Sequence, residues 1–147
     1  VPKDASRTEG SLVTGENTME NSRLRVQIQS NGTLDVTLKA TGHTYRGLGC
    51  YEETGDIGNE YIYFQPVGSK PILSSELPAQ IELVTDTPYA AAFEIRQTLR
   101  VPESADGALL GEQVNVTPFN ARKSGRSEKL VDLPITTTVT LEKTAAA

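Results

Sequence analysis

The sequence predicts an all-β fold, an antiparallel β-sandwich, from three observations. Apolar and polar residues alternate over several short segments, as they do on strands that bury one face. Turn-forming residues separate these segments, and no segment sustains a helical period. The hydrophobic share of 37% and the lack of tryptophan indicate a thin core of aliphatic, Phe and Tyr side chains, which suits two facing sheets.

The clearest predicted element is a β-hairpin over residues 24–38. Alternation over 24–28 and again over 34–38 gives each strand one apolar face. Asn31-Gly32 lies between the strands, and both residues tolerate a positive φ, so a type I′ turn is predicted.

Further strands follow from alternation or β-propensity. A third strand is predicted over 45–51, with a bulge at Gly47 and Gly49. Other predicted strands cover 61–64, 81–85, 93–101 and 135–141, with weaker ones at 113–117 and 129–131. Residues 103–111 are predicted to form a long turn.

The chain of 147 residues fits one domain. Residues 1–18 mix polar and charged residues without a sustained period, so they are predicted to be a linker or arm, and 19–147 a β-sandwich domain. Because the sequence stops directly after an amphipathic strand, the domain is expected to be excised from a longer enzyme.

Composition argues against several classes of partner. The net charge is −5 and the basic residues Arg122, Lys123, Arg126 and Lys129 are scattered, so no nucleic acid is expected. No apolar run approaches the roughly 20 residues that cross a bilayer, so no membrane is expected. One cysteine, Cys50, allows no internal disulfide and favours the cytoplasm.

Residues 52–66, called the acidic loop below, are the main candidate for chemistry. They hold the clustered carboxylates Glu52, Glu53, Asp56 and Glu60. Two of these could form the acid and base pair of a glycosidase, or all could be solvated. The spacing does not match an EF-hand. With one His and one Cys, no metal site is expected: His43 is predicted in an exposed turn, and Cys50 buried as a small apolar residue.

Three aromatic residues end the acidic loop. On the predicted strand 61–64, Tyr61 and Tyr63 share one face and Phe64 takes the other, so Phe64 is assigned to the core. The two tyrosines could line a sugar-binding groove, or they could lie half-buried at the rim of a sheet.

The chain resembles the C-terminal β-domain of glycoside hydrolase family 38 α-mannosidases, most of all the bacterial branch that includes mannosylglycerate hydrolases. The resemblance covers roughly residues 19–101. It rests on the order of the segments 19–21, 24–26, 31–36 and 45–46, and on the Gly-Asp-x-Gly-Asn-Glu-Tyr run at 55–61 within the acidic loop.

The resemblance implies a parent α-mannosidase whose zinc, nucleophile and acid catalyst lie in an N-terminal catalytic domain that this chain lacks. No catalytic residue and no metal are therefore expected here. The resemblance assigns Tyr61, Asp56, Asn59 and Glu60 to the rim of the substrate site. The implied partners are the absent catalytic domain, an α-mannoside substrate and, in a homo-oligomer, further copies of the protein.

Two alternatives stay open from the sequence. One is a non-catalytic carbohydrate-binding module in which Tyr61 and Tyr63 form a sugar platform. The other is a structural sandwich that mediates subunit contacts.

Overall fold

A computed structural model describes residues 9–144 of the chain. Within them lie ten strands, one α-helix and two 3₁₀ helices, Ser74–Glu76 and Phe119–Ala121. The strands and the helix are β1 Val13–Gly15, β2 Thr18–Glu20, β3 Leu24–Ile28, β4 Leu34–Leu38, β5 Thr44–Leu48, β6 Glu52–Glu53, β7 Ile72–Leu73, β8 Gln80–Asp86, β9 Ala90–Pro102, α1 Ala108–Val114 and β10 Leu130–Glu142. The all-β class is confirmed.

The chain forms two compact units. Among the described residues, the first contains residues 9–50, 74–97 and 135–144, and the second contains residues 51–73 and 98–134. The sequence predicted one sandwich domain over 19–147 and did not predict a division into two units.

The first unit contains a five-stranded sheet in the order β1-β2-β3-β4-β5, with every neighbouring pair antiparallel. The predicted hairpin is confirmed, since Val26 of β3 lies opposite Val36 of β4. The predicted bulge is also present. The register shifts between β4 and β5 where Gly47 has a φ of 67°.

The second sheet has the order β10-β9-β8, and β8 pairs antiparallel with β9. Within the first unit, buried side chains of both sheets form one core cluster: Leu12, Val13, Met19, Val26, Ile28, Ala91, Phe93, Ile95 and Leu141. Each large member contributes about 1.5–3 kcal/mol by leaving water. The packing of two sheets through this cluster is the predicted sandwich.

The turn between β3 and β4 differs from the predicted type I′ turn. Only Gly32 has a positive φ, 77°, and the Gly32 NH donates to the Gln29 carbonyl at 2.8 Å. The turn therefore spans residues 29–33. A Cβ atom on Gly32 would come within 2.9 Å of Gln97 Oε1, so the position requires glycine for space as well as for φ.

The predicted arm over residues 1–18 extends too far. Residues 1–8 lie outside the described residues, but β1 begins at Val13, and Leu12 and Val13 belong to the core cluster. The short strands β1 and β2 were not predicted, because a segment of three residues is too short to show alternation.

The second unit has the fewest regular elements. β6 pairs antiparallel with β7, and α1 stands where a long turn and part of the weak strand 113–117 were predicted. The predicted strand 61–64 is absent, because the acidic loop folds back on itself there. The weak strand at 129–131 is instead the start of the longer β10. Within residues 9–144, none of the helices combines the length and the apolarity that crossing a membrane requires.

Candidate functional site

Asp56 organises the acidic loop through main-chain contacts. Its Oδ1 accepts hydrogen bonds from the Gly58 NH at 2.7 Å and from the Phe64 NH at 2.9 Å. The Ile57 NH donates to the Phe64 carbonyl at 2.8 Å, which closes the loop between the same two ends. Asp56 therefore supports the shape of the loop, since a carboxylate that accepts two NH groups fixes both.

Asn59 organises the tip of the loop in the same way. Its Oδ1 accepts hydrogen bonds from the Tyr61 and Ile62 NH groups, both at 2.9 Å. The Asn59 NH donates to the Ile62 carbonyl at 3.0 Å, so residues 59–62 form a tight turn. This side-chain capture of main-chain donors is why residues 61–64 do not form a strand.

Gly58 allows this turn to close. A Cβ atom built on Gly58 would lie 1.7 Å from the Ile62 carbonyl oxygen, which is far inside any permitted contact. The second glycine of the Gly-Asp-x-Gly pattern, Gly58, is therefore needed because there is no space for a side chain.

The turn presents Glu60 and Tyr61 to solvent. Tyr61 is 85% exposed and Tyr63 is 56% exposed, and Glu60 is exposed as well. Neither tyrosine is half-buried at the rim of a sheet. The four predicted rim residues therefore lie together on one loop but divide into two roles, with Asp56 and Asn59 shaping it and Glu60 and Tyr61 displayed by it.

The inner side of the loop is apolar. Ile57 is 1% exposed, and Phe64 stacks on Phe119 with ring centroids 6.3 Å apart. Phe64 is partly buried in this contact and is not a member of the core cluster to which the sequence assigned it. The Arg122 guanidinium lies 4.5 Å from the centroid of the Phe119 ring and donates to the Ile57 carbonyl. Phe119 and Arg122 carried no sequence signal for this contact.

An ion pair lies at the start of the loop. Arg126 Nη2 is 2.6 Å from Glu53 Oε2, and the two side chains are 12% and 24% exposed. Glu53 Oε2 is buried without hydrogen-bond geometry, so this contact is one of charge, while Glu53 Oε1 accepts the Gly55 NH at 2.8 Å. A pocket of about 170 Å³ opens here, lined among others by Glu53, Asp56, Pro66, Pro102, Ser104 and Arg126.

The segment that supplies Arg122 and Arg126 is held by two carboxylates. Glu112 on α1 accepts hydrogen bonds from the Lys123 NH, at 2.6 Å, and from the Ser124 hydroxyl. These bonds lower the pKa of the Glu112 carboxyl, and the bond from the Ser124 hydroxyl has the largest effect. Asp106 accepts the Gly125 NH at 2.7 Å.

The single cysteine and histidine belong to the first unit, whereas the acidic loop belongs to the second. His43 is exposed in a turn, as predicted. Cys50 is exposed, so its predicted burial is wrong. Hydrogen bonding lowers the pKa of the Cys50 thiol, and the bond with the Ser75 side chain has the largest effect.

The described residues offer no ligand set for zinc. No group of three His, Cys, Asp or Glu side chains within residues 9–144 is placed to hold a metal ion. In the acidic loop, Asp56 and Glu53 are already engaged by main-chain NH groups and by Arg126. What the loop can do chemically is present a phenol and a carboxylate, groups that hydrogen-bond to a hydroxyl-rich ligand.

Comparison with known proteins connects this architecture to one enzyme family. A crystal structure of an α-mannosidase from Enterococcus faecalis V583 superimposes with a TM-score of 0.88 and 40% identity over 90% of this chain. A second structure, of a protein in glycosyl hydrolase family 38 from Enterococcus faecalis, gives the same TM-score and identity. The chain is similar to one segment of these glycoside hydrolase family 38 proteins.

A curated relative shows a similarity of the same extent. The chain is 39% identical, over 129 residues, to a protein of Halalkalibacterium halodurans named "Putative mannosylglycerate hydrolase". The match covers 88% of the chain but only 14% of that relative, and 15% and 16% of the two Enterococcus structures. No family model matches the chain.

Proposed function

We propose that this chain is the C-terminal β-domain of an α-mannosidase that hydrolyses terminal α-mannosides. The observation that carries the proposal is the match of 90% of the chain, at 40% identity, to one segment of the Enterococcus faecalis α-mannosidase. At this level of identity the relatives share more than a sandwich architecture, which alone would say nothing about activity.

In the proposed enzyme, the bond-breaking groups lie in a catalytic domain elsewhere in the polypeptide. Zinc is expected there and not in this chain. The described residues support this division of labour, since the carboxylates that shape the acidic loop are committed to main-chain donors and to Arg126. The isolated chain is therefore expected to be inactive.

The proposed contribution of this chain is stability together with part of the rim of the substrate site. The acidic loop supplies that rim, with Tyr61 and Glu60 facing the substrate and Asp56 and Asn59 keeping the turn closed. An exposed tyrosine suits this task because its ring packs on a sugar face while its hydroxyl forms hydrogen bonds. The single cysteine makes the cytoplasm the proposed location.

A carbohydrate-binding module is the second candidate. The exposure of both Tyr61 and Tyr63 favours it, since a sugar platform needs accessible rings. In this case the chain would bind mannosides without help from another domain. A purely structural or subunit-contact role is the third candidate, favoured by the exposed apolar residues Leu110, Val114 and Val116 of the second unit.

Titration of the isolated chain with mannose and α-mannobiose separates these functions. Chemical shifts of the residue 59–63 amides report binding at the loop, and Tyr61→Ala serves as the loop variant. Tyr89→Ala is the matched control, because Tyr89 is 75% exposed and lies in the first unit. The proposed function predicts no saturable binding and no release of mannose. Saturation at millimolar concentration or below, abolished only by Tyr61→Ala, would establish the binding module instead.

A further inference from the structure

Residues 119–126, called the basic segment below, contact the acidic loop at three points. The Phe119 ring stacks on Phe64, with an angle of 27° between their planes. The Arg122 guanidinium donates to the Ile57 carbonyl, and Arg126 pairs with Glu53. The basic segment therefore holds both the start of the loop and the place where Ile57 and Phe64 close it.

Arg122 makes the central contact of the three. Its guanidinium lies over the Phe119 ring, its Nε donates to the Thr117 carbonyl at 3.3 Å, and its Nη1 donates to the Ile57 carbonyl. A guanidinium is planar, so it can stack on a ring while its donors point in fixed directions, whereas a lysine ammonium is a compact charge with rotatable donors. The side chain is thus fixed in one orientation towards the loop.

The basic segment is itself anchored on its other side. Glu112 and Asp106 accept the main-chain NH groups of Lys123 and Gly125, and the Ser124 side chain is fully buried. The Val67 NH, directly after the acidic loop, donates to the Ser124 carbonyl at 2.9 Å. A segment held from both sides can position another element, because its own movement is restricted.

We infer that the basic segment is the positioning device of the acidic loop and that Arg122 is its main positioning residue. Arg122 acts through the Ile57 carbonyl and does not touch the substrate itself. Its effect on substrate binding rests on the proposed function, whereas its effect on the loop does not. The two parts are tested by separate measurements.

Amide hydrogen exchange on the 147-residue chain tests the positioning role directly. In Arg122→Ala, the Ile57 and Phe64 amides are expected to exchange at least about tenfold faster, because their closed arrangement loses its support. Lys123→Ala is the matched control. It removes a positive charge from the neighbouring position, but its side chain is exposed and its contact with Glu112 is through the main chain.

The Val26 amide reports whether the first unit stays folded, since β3 lies between β2 and β4. Its exchange is expected to be unchanged in both variants. Unchanged exchange at Ile57 and Phe64 in Arg122→Ala would overturn the inference. If Arg122→Ala releases Val26 as well, Arg122→Lys decides, because it keeps the positive charge and the aliphatic stem but loses the planar fork of donors that reaches the Ile57 carbonyl. Loop exchange equal to that of the unsubstituted chain would then reject the inference.

Steady-state kinetics of the full-length enzyme test the consequence for the substrate. Arg122→Ala is expected to raise KM for an aryl α-mannoside severalfold with kcat within about twofold, since a displaced rim loses binding and the reacting groups lie elsewhere. Lys123→Ala is expected to leave both constants unchanged. Faster loop exchange with unchanged KM would keep the positioning role and reject the rim function of the loop.

Discussion

Arg126 and Glu53 form a largely buried ion pair at the start of the acidic loop, with 2.6 Å between Nη2 and Oε2. The pair comes from two segments that are more than seventy residues apart in sequence. Glu53 also accepts the Gly55 NH, so one carboxylate connects the basic segment to the first turn of the loop. Loss of this ion pair is expected to destabilise the protein more than loss of a surface ion pair.

Arg126→Leu is expected to destabilise the second unit by about 2 kcal/mol or more, because it leaves the Glu53 carboxylate buried without its partner. Arg100→Ala is the control. Arg100 lies 3.7 Å from Asp132, with both side chains about 70% exposed, and such pairs contribute about 0–1 kcal/mol. Urea unfolding followed by exchange at the Gly55 amide measures the difference. Equal effects of the two substitutions would contradict the importance given to the buried pair.

Gly58→Ala is expected to open the turn at residues 59–62. The new methyl group would collide with the Ile62 carbonyl oxygen, and forcing such an atom into a packed site costs about 1–3 kcal/mol. The expected result is loss of protection at the Tyr61 and Ile62 amides. Gly111→Ala is the control, since nothing lies near its Cβ position and alanine favours helix α1. Retained protection in Gly58→Ala would mean that the loop has a different shape.

The stability of the basic segment is predicted to depend on pH through the Glu112 carboxylate. Because its pKa is lower in the folded protein than in the unfolded chain, its stabilising effect is present above the unfolded value and is lost as the pH falls through the folded value. Exchange at the Lys123 amide is therefore expected to be faster in Glu112→Gln than in the unsubstituted chain near pH 7. The difference should disappear at the acidic end of the titration. Glu128→Gln, an exposed neighbour, is the control, and a difference independent of pH would contradict the account.

The Cys50 thiol is predicted to react readily with alkylating reagents. Hydrogen bonding from Ser75 lowers its pKa, so Ser75→Ala is expected to slow alkylation by iodoacetamide between pH 7 and 8 by reducing the thiolate fraction. The reaction is specific because the chain has one cysteine. Labelling followed by mass spectrometry gives the rate. An unchanged rate in Ser75→Ala, with Ser69→Ala as control, would show that the hydrogen bond does not govern reactivity.

The sequence predicted the regular part of the fold because alternation reports burial directly. The hairpin of β3 and β4, the bulge at Gly47 and the long strand β9 follow from patterns within single segments. The Asn31-Gly32 turn was right in place but wrong in type. The competing influence is the approach of Gln97, a contact across more than sixty residues that no local pattern contains.

The candidate site was predictable only in its outline. The four candidate residues were expected together and do lie on one loop, but the predicted strand 61–64 failed because Asp56 and Asn59 bind the main-chain NH groups that a strand would need. The contacts of Arg122 and Arg126 with the loop were not predictable. They join residues 65 and 73 positions apart, and the sequence shows only scattered positive charge.

The central claim is that the acidic loop forms part of the substrate site of an enzyme whose reacting groups lie in another domain. Tyr61→Ala tests it in the full-length enzyme, because the side chain is 85% exposed and its loss should not affect folding. Tyr89→Ala, a comparably exposed tyrosine, is the control.

The decisive measurement is kcat/KM for a terminal α-mannoside in these two variants. The account predicts a decrease of about tenfold for Tyr61→Ala, the loss of one good substrate contact of about 1.4 kcal/mol, and no change for Tyr89→Ala. An unchanged kcat/KM in Tyr61→Ala would contradict the assignment of the acidic loop to the substrate site.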